Sequence, residues 1–213
     1  MSLRNNKTQQ HAKHRLEAFS DGVFAIVVTL LVLELTIPEI KNHDSKSELY
    51  DAIYSIRNKL ISYALSFLFI GQLWVAHTNF FRLIVKTDLT LFWINNLLLM
   101  TICLLPFPTM LLGDYSENPG SVIVFGVLFI TTGLVFGGMS AYCDVKKYFH
   151  LQTDAKSLKT GSIIGSVLPF LSAVPLLLAN SNPHLAIALY FLIVVAYIFL
   201  QRFFKLKEEE ESV

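Results

Sequence analysis

Six stretches of about 20 mainly apolar residues, separated by short polar segments, constrain this chain more than any other feature. A bilayer core about 30 Å thick is crossed by about 20 residues of helix. The stretches fall at about 18–37, 60–81, 89–112, 121–143, 161–179 and 185–204. The segments IPEIKNHDSKSE, FRLIVKTD, GDYSENPG, DVKKYFHLQTDAKSLKT and NSNPH punctuate them. With 54% hydrophobic and only 15% charged residues, the chain reads as an all-α integral membrane protein rather than a soluble domain. The expected organisation is one six-span unit over 1–213, with a cytoplasmic N-terminal segment at 1–15 and a solvated acidic tail at 205–213.

Charge orients the spans. Placing the N-terminus inside collects Arg4, Lys7, Lys13, Arg15, Arg82, Lys86, Lys146, Lys147, Lys156, Lys159, Arg202, Lys205 and Lys207 on one side. Only Lys41, Lys46, Arg57 and Lys59 remain on the other. This positive-inside bias, with an even number of spans, puts both termini in the cytoplasm. The polar first 14 residues lead into no small-residue cleavage pattern, so no secretory leader is read. A formal net charge of +1 and the absence of nucleotide-binding or zinc-finger spacings argue against nucleic acid as a partner. Membrane lipid is the expected surroundings.

The first span, RLEAFSDGVFAIVVTLLVLEL, carries charge where lipid would penalise it. An ionisable residue at mid-membrane costs about 2.5 to 3.5 kcal/mol on insertion scales, so Asp21, about one turn inside, calls for a partner. On its own helix the neighbour at four residues is Glu17, which repels it. The candidate donors lie in WVAHTNFF at the end of the second span, where antiparallel packing brings Trp74, His77 and Asn79 to the same depth; an indole N–H or an imidazole can donate to a carboxylate. On another face, Gly22, Ile26, Thr29 and Leu33 fall within about 60° at 100° per residue, with Leu30 at the edge. This stripe has two readings. It packs against another helix, Gly22 allowing close approach and Thr29 bonding back to a carbonyl. Alternatively it lines a pore, Ile26 and Leu33 forming constrictions around the Thr29 hydroxyls, which needs several copies around an axis.

The run Arg15-x-x-x-Phe19-Ser20-Asp21 followed by Gly-Val-Phe-Ala-Ile-x-x-Thr-Leu-Leu-Val-Leu-Glu resembles the signature of the transmembrane protein 175 family of potassium channels, in its short prokaryotic six-span form. Trp74, His77 and the six-span layout extend the likeness; the last four spans match only in hydropathy. The resemblance implies a homotetramer whose first helix lines a central pore. It also implies an apolar constriction at Ile26 and a hydroxyl layer at Thr29. Arg15, Phe19, Ser20 and Asp21 would then hold the pore helix through hydrogen bonds to residues such as Trp74 and His77. Animal members of the family also pass protons.

The expected function is therefore passive, potassium-selective conduction through a hydrophobic gate at Ile26, Thr29, Leu30 and Leu33. No cofactor is expected, and no metal beyond permeating potassium. No catalytic constellation can be assembled from spacing, so no enzyme activity is expected. The rivals are a proton-coupled secondary transporter in which Asp21 and His77 titrate, and a non-conducting scaffold. Elsewhere, Gly133-x-x-x-Gly137, Gly138 and Gly161-x-x-x-Gly165 read as close helix contacts. Pro106, Pro108, Pro169 and Pro175 should kink or end helices. Asn95 and Asn96 read as interhelical hydrogen-bonding residues, and the second span, with its preamble SELYDAIYSIRNK, as one long unbroken helix. Cys103 and Cys143 read as ordinary buried residues.

Overall fold

The computed structural model describes residues 2–42, 44–149 and 171–211, with side chains described over 9–42, 44–149 and 171–200. Helix α1 (Ser2–Leu30) ends in a 3-10 turn, Leu31–Glu34. Then follow α2 (Lys46–Ser55), α3 (Arg57–Leu83), α4 (Leu89–Cys103), α5 (Pro106–Asp114), α6 (Pro119–Val145), α7 (Ala173–Leu178) and α8 (Pro183–Glu211). Among the described residues there is no strand, only an isolated antiparallel bridge between Ile84 and Phe149. Five helical stretches are long and apolar enough to cross a membrane: Gln9–Glu34, Arg57–Leu83, Leu89–Asp114, Pro119–Val145 and Pro183–Leu200. The protein is thus an all-α membrane protein. The expected fifth span, 161–179, lies mostly outside the described residues, as do Gly161, Gly165 and Pro169; its last turns are α7.

Three boundaries differ from the sequence reading. Helix α1 begins at Ser2 instead of near residue 18. The polar N-terminal residues extend the span as helix, because nothing in SLRNNKTQQHAK, neither Gly nor Pro, interrupts it. The second span does not run unbroken from its preamble: Ile56 separates α2 from α3, its N–H bonding the Ile53 carbonyl at 3.3 Å in a tightened turn. The Ser55 hydroxyl donates to the Ala52 carbonyl at 2.7 Å, a back-bond of the kind that bends helices. The third span is split at Leu104–Leu105, since Pro106 has no N–H for the Ile102 carbonyl and starts α5 at its first position. Across this break the Thr109 and Ser66 hydroxyls bond at 2.6 Å, tying α5 to α3.

In lipid, apolar side chains gain little from merely meeting one another, so helix association rests on close packing and polar pairs. The core supplies the first through Phe69 and Phe129, stacked at 3.9 Å between ring centroids, with Tyr190 tilted against Phe129 at 5.5 Å. Tyr190 is fully buried and its hydroxyl donates to the Ser172 carbonyl at 3.2 Å. It fits because residue 126 is glycine: a Cβ there would collide with the Tyr190 hydroxyl. The close approach of α6 to α8 is therefore at Gly126, whereas a Cβ added at Gly138 would meet nothing within 4 Å. Cys143 is buried as expected, but Cys103 is exposed, against the expectation.

The elements pack so that α3 lies against α1, α5 and α8, while α4 lies against α1 and α6. Among the described residues, helix α1 is thus held from one side, by α3 and α4.

Candidate functional site: the two faces of the first helix

The packed face of α1 is Leu16, Ser20, Phe24, Val27 and Leu31, all buried. Their spacing of four, four, three and four residues is one helical stripe. The opposite face has no partner among the described residues: Phe19 is 52% exposed, Ile26 60%, Leu30 43% and Leu33 67%. Gly22 and Thr29 are exposed between them, and a Cβ added at Gly22 would meet open space. Ile26, Thr29, Leu30 and Leu33 therefore share one unpartnered face. The Thr29 hydroxyl donates to the Ile26 carbonyl at 2.7 Å. With its proton committed to the backbone, the oxygen presents lone pairs outward.

Behind this face, about one and a half turns before Ile26, lie two sets of polar contacts. In the first, the Trp74 indole N–H donates to Asp21 Oδ1 at 2.8 Å, so α3 supplies the partner that lipid cannot. In the second, Ser20 donates to the Leu16 carbonyl at 2.9 Å and accepts from Asn95 Nδ2 at 3.0 Å. Asn95 Oδ1 lies 2.8 Å from His77 Nε2. The order of donation fixes the imidazole. Ser20 has spent its one proton, so Asn95 presents its NH2 to Ser20 and its oxygen to the ring, and His77 Nε2 carries the hydrogen. The His77 ring is held between Phe24, at 5.5 Å, and Phe81, at 4.6 Å.

The structure thus brings Ser20, Asp21, Trp74 and His77 to one level, but not into one cluster. His77 reaches Asn95 instead of Asp21: its ring meets α1 directly at Phe24 and, through the Asn95 amide, at Ser20. Arg15 and Phe19 are exposed and join neither set within one subunit; Asn79 is also exposed. The member that sequence reasoning did not place in the site is Asn95. It is fully buried and joins α1, α3 and α4 through one amide. The available signal was an amide pair in an apolar span, which says that a partner exists but not which of the two amides faces it.

Residues 15–106, which hold every group just described, match the model of the family described as "Endosomal/lysosomal potassium channel TMEM175". A potassium channel of Streptomyces collinus is 33% identical over 194 residues, 83% of this chain and 90% of that one. A potassium channel of Chamaesiphon minutus is 38% identical over 131 residues, 60% of this chain and 64% of that protein. The crystal structure of a lysosomal potassium-selective channel TMEM175 homologue from the same organism superposes with a TM-score of 0.80 at 28% identity, covering 89% of this chain and 97% of that one. The endosomal/lysosomal proton channel TMEM175 of mouse is 30% identical over 62% of this chain, but only 26% of that longer protein is covered. With similar relatives named as ion channels over most of its length, and the signature of the first helix in place, the chain belongs to the TMEM175 family, an ion-channel family and not a class of enzymes.

Proposed function

We infer that this chain is the subunit of a homotetrameric, potassium-preferring cation channel, in which the first helix of each copy lines the pore. The observation that carries this reading is the division of α1 into a packed face and an apolar, exposed face broken by one hydroxyl layer. A helix meant for lipid alone has no need of Asp21, Ser20 and a three-helix amide network to hold its rotation. A helix whose other face must stay on an axis does. At the level of Ile26 a pore narrowed by branched apolar side chains makes an ion shed part of its water, and potassium, the larger ion, loses water at lower cost than sodium. The Thr29 oxygens offer partial replacement. The basic side of the protein faces the cytoplasm, and the short form fits a prokaryotic plasma membrane.

The test is flux through purified protein in liposomes under a potassium gradient, measured against sodium, with and without a pH gradient. Potassium flux that needs no proton gradient is the expected result. Flux that appears only with a proton gradient would favour the coupled transporter, and no flux at all the scaffold.

A further inference from the structure

The segment 84–88, which joins α3 to α4 at the basic end, is held from both sides. From α1, Lys13 Nζ donates to the Ile84 carbonyl at 3.0 Å, and Gln9 Oε1 accepts from the Thr87 N–H at 3.2 Å. From the far side, the Val85 N–H donates to the Tyr148 carbonyl at 2.8 Å. The Tyr142 and Tyr148 hydroxyls both donate to Asp88 Oδ2, at 2.6 Å and 3.0 Å. The other carboxylate oxygen, Oδ1, accepts from the Leu91 N–H at 2.8 Å and caps α4. One acidic side chain therefore joins the start of α4, the end of α6 and the turn beyond it.

That turn is built to deliver Tyr148. Lys147 sits at φ 55°, a left-handed conformation that costs an L-residue of this kind about 1 to 2 kcal/mol. The Tyr148 N–H returns to the Cys143 carbonyl at 2.9 Å and the Lys147 N–H to the Asp144 carbonyl at 2.9 Å. This is the Schellman pattern, with lysine where glycine is usual. Burial alone would raise the Asp88 pKa, but the Tyr142 hydroxyl, the Leu91 N–H, the Tyr148 hydroxyl and the Lys146 charge outweigh it and hold the carboxyl below its ordinary range. Burial, followed by Asp88, pushes Tyr148 up to about 12. Acceptor and donor thus keep these roles at neutral pH.

We propose that Asp88, gripped by Tyr142 and Tyr148, is a positioning residue for the pore helix: it fixes segment 84–88, and through Lys13 and Gln9 that segment sets the rotation and depth of α1. This inference rests on the channel reading above. From Lys13 to Ile26 is 13 residues, about 20 Å along a continuous helix, so a shift at the latch arrives at the constriction. The latch touches none of the groups that would meet an ion. Its loss changes how often the pore conducts and leaves selectivity alone.

The double variant Y142F/Y148F removes both donors and leaves the Leu91 cap intact; D88N, which also keeps a cap, serves if that pair does not assemble. Single-channel recording should show the open probability changed at least threefold with the potassium over sodium permeability ratio unaltered. Because Lys13 acts through the same segment, adding K13M to Y142F/Y148F should change open probability much less than K13M does alone. Effects that simply multiply would show two independent contacts and overturn the latch. A spin label at exposed His11, introduced as H11C in a C103A background, reads the same coupling without current: its mobility should rise in Y142F/Y148F. Unchanged mobility overturns the latch, whereas a wild-type protein without potassium current overturns the channel reading only.

Discussion

At the scale of single residues, the two polar contacts behind α1 differ in what surrounds them, and this decides their worth. Asn95 and Ser20 are fully buried and His77 nearly so, while Trp74 is 44% exposed in one subunit. Breaking a buried bond leaves its partner unsatisfied, at about 1 to 3 kcal/mol per group, whereas a solvated pair loses much less. N95L strands both the His77 N–H and the Ser20 oxygen and should cost about 2 kcal/mol or more; W74F should cost about 1 kcal/mol or less. Thermal unfolding in detergent ranks the two, and an equal loss would mean that Asp21 is buried by a neighbouring copy. On the exposed face, I26N should wet the constriction, raising conductance and loosening selectivity in bilayer recordings. T29A should lower the potassium over sodium ratio while leaving the fold intact, since it removes one exposed hydroxyl and a local back-bond. An unchanged ratio in T29A removes Thr29 from the selectivity account. Depth makes Trp74 legible as one of three candidate donors to Asp21, with His77 and Asn79, because antiparallel spans must align their ends; which of them donates is not legible. Nor is the pairing of His77 with Asn95, because it depends on which face α4 turns to α1.

At the scale of elements, the sequence places the spans well and their contacts poorly. Hydropathy locates four spans to within a few residues, since a 30 Å slab imposes length on any helix. It misses the start of α1 at Ser2 and the break at Ile56, because neither depends on lipid. The glycine pattern is the clearest case. Of the glycines expected to make close contacts in α6, Gly138 has open space around it, whereas the contact between α6 and α8 is made at Gly126, which has no glycine partner four residues away. What selects Gly126 is the Tyr190 hydroxyl opposite it, and a side chain from 64 residues further along leaves no local trace. G126A should therefore push Tyr190 off the Ser172 carbonyl and cost about 1 to 3 kcal/mol as an over-packed core does. G138A, with open space around it, should be neutral or slightly stabilising through helix propensity. Unfolding midpoints of the two variants side by side check this, and equal midpoints would place the α6–α8 contact elsewhere.

At the scale of the whole molecule, the number of crossings and the number of copies are linked, since a pore helix must enter with the same orientation in every subunit. The exposed stripe on α1 predicts that G22C will form disulfide-linked dimers under oxidation, and that an amine cross-linker will build a ladder ending at four subunits; a ladder ending at two leaves no axial pore. The span count follows from the ends of the described helices. Asn58 at the start of α3 donates to Ser116, just past α5, at 2.7 Å. His184, at the start of α8, shares with both a cavity of about 330 Å³. These ends therefore lie together, and α3 runs from them to the segment 84–88 that meets Tyr148. The chain between Tyr148 and His184 begins on one side of the protein and finishes on the other. We predict a sixth crossing at the apolar stretch 161–179, which has about the length that a span needs. Cysteines at two described, exposed positions test this: N182C should react with an impermeant maleimide applied to intact cells, and K147C only after lysis. Labelling of both from the same side would make the fifth apolar stretch a re-entrant or surface segment. The chain would then have five crossings, and its two termini would face opposite compartments.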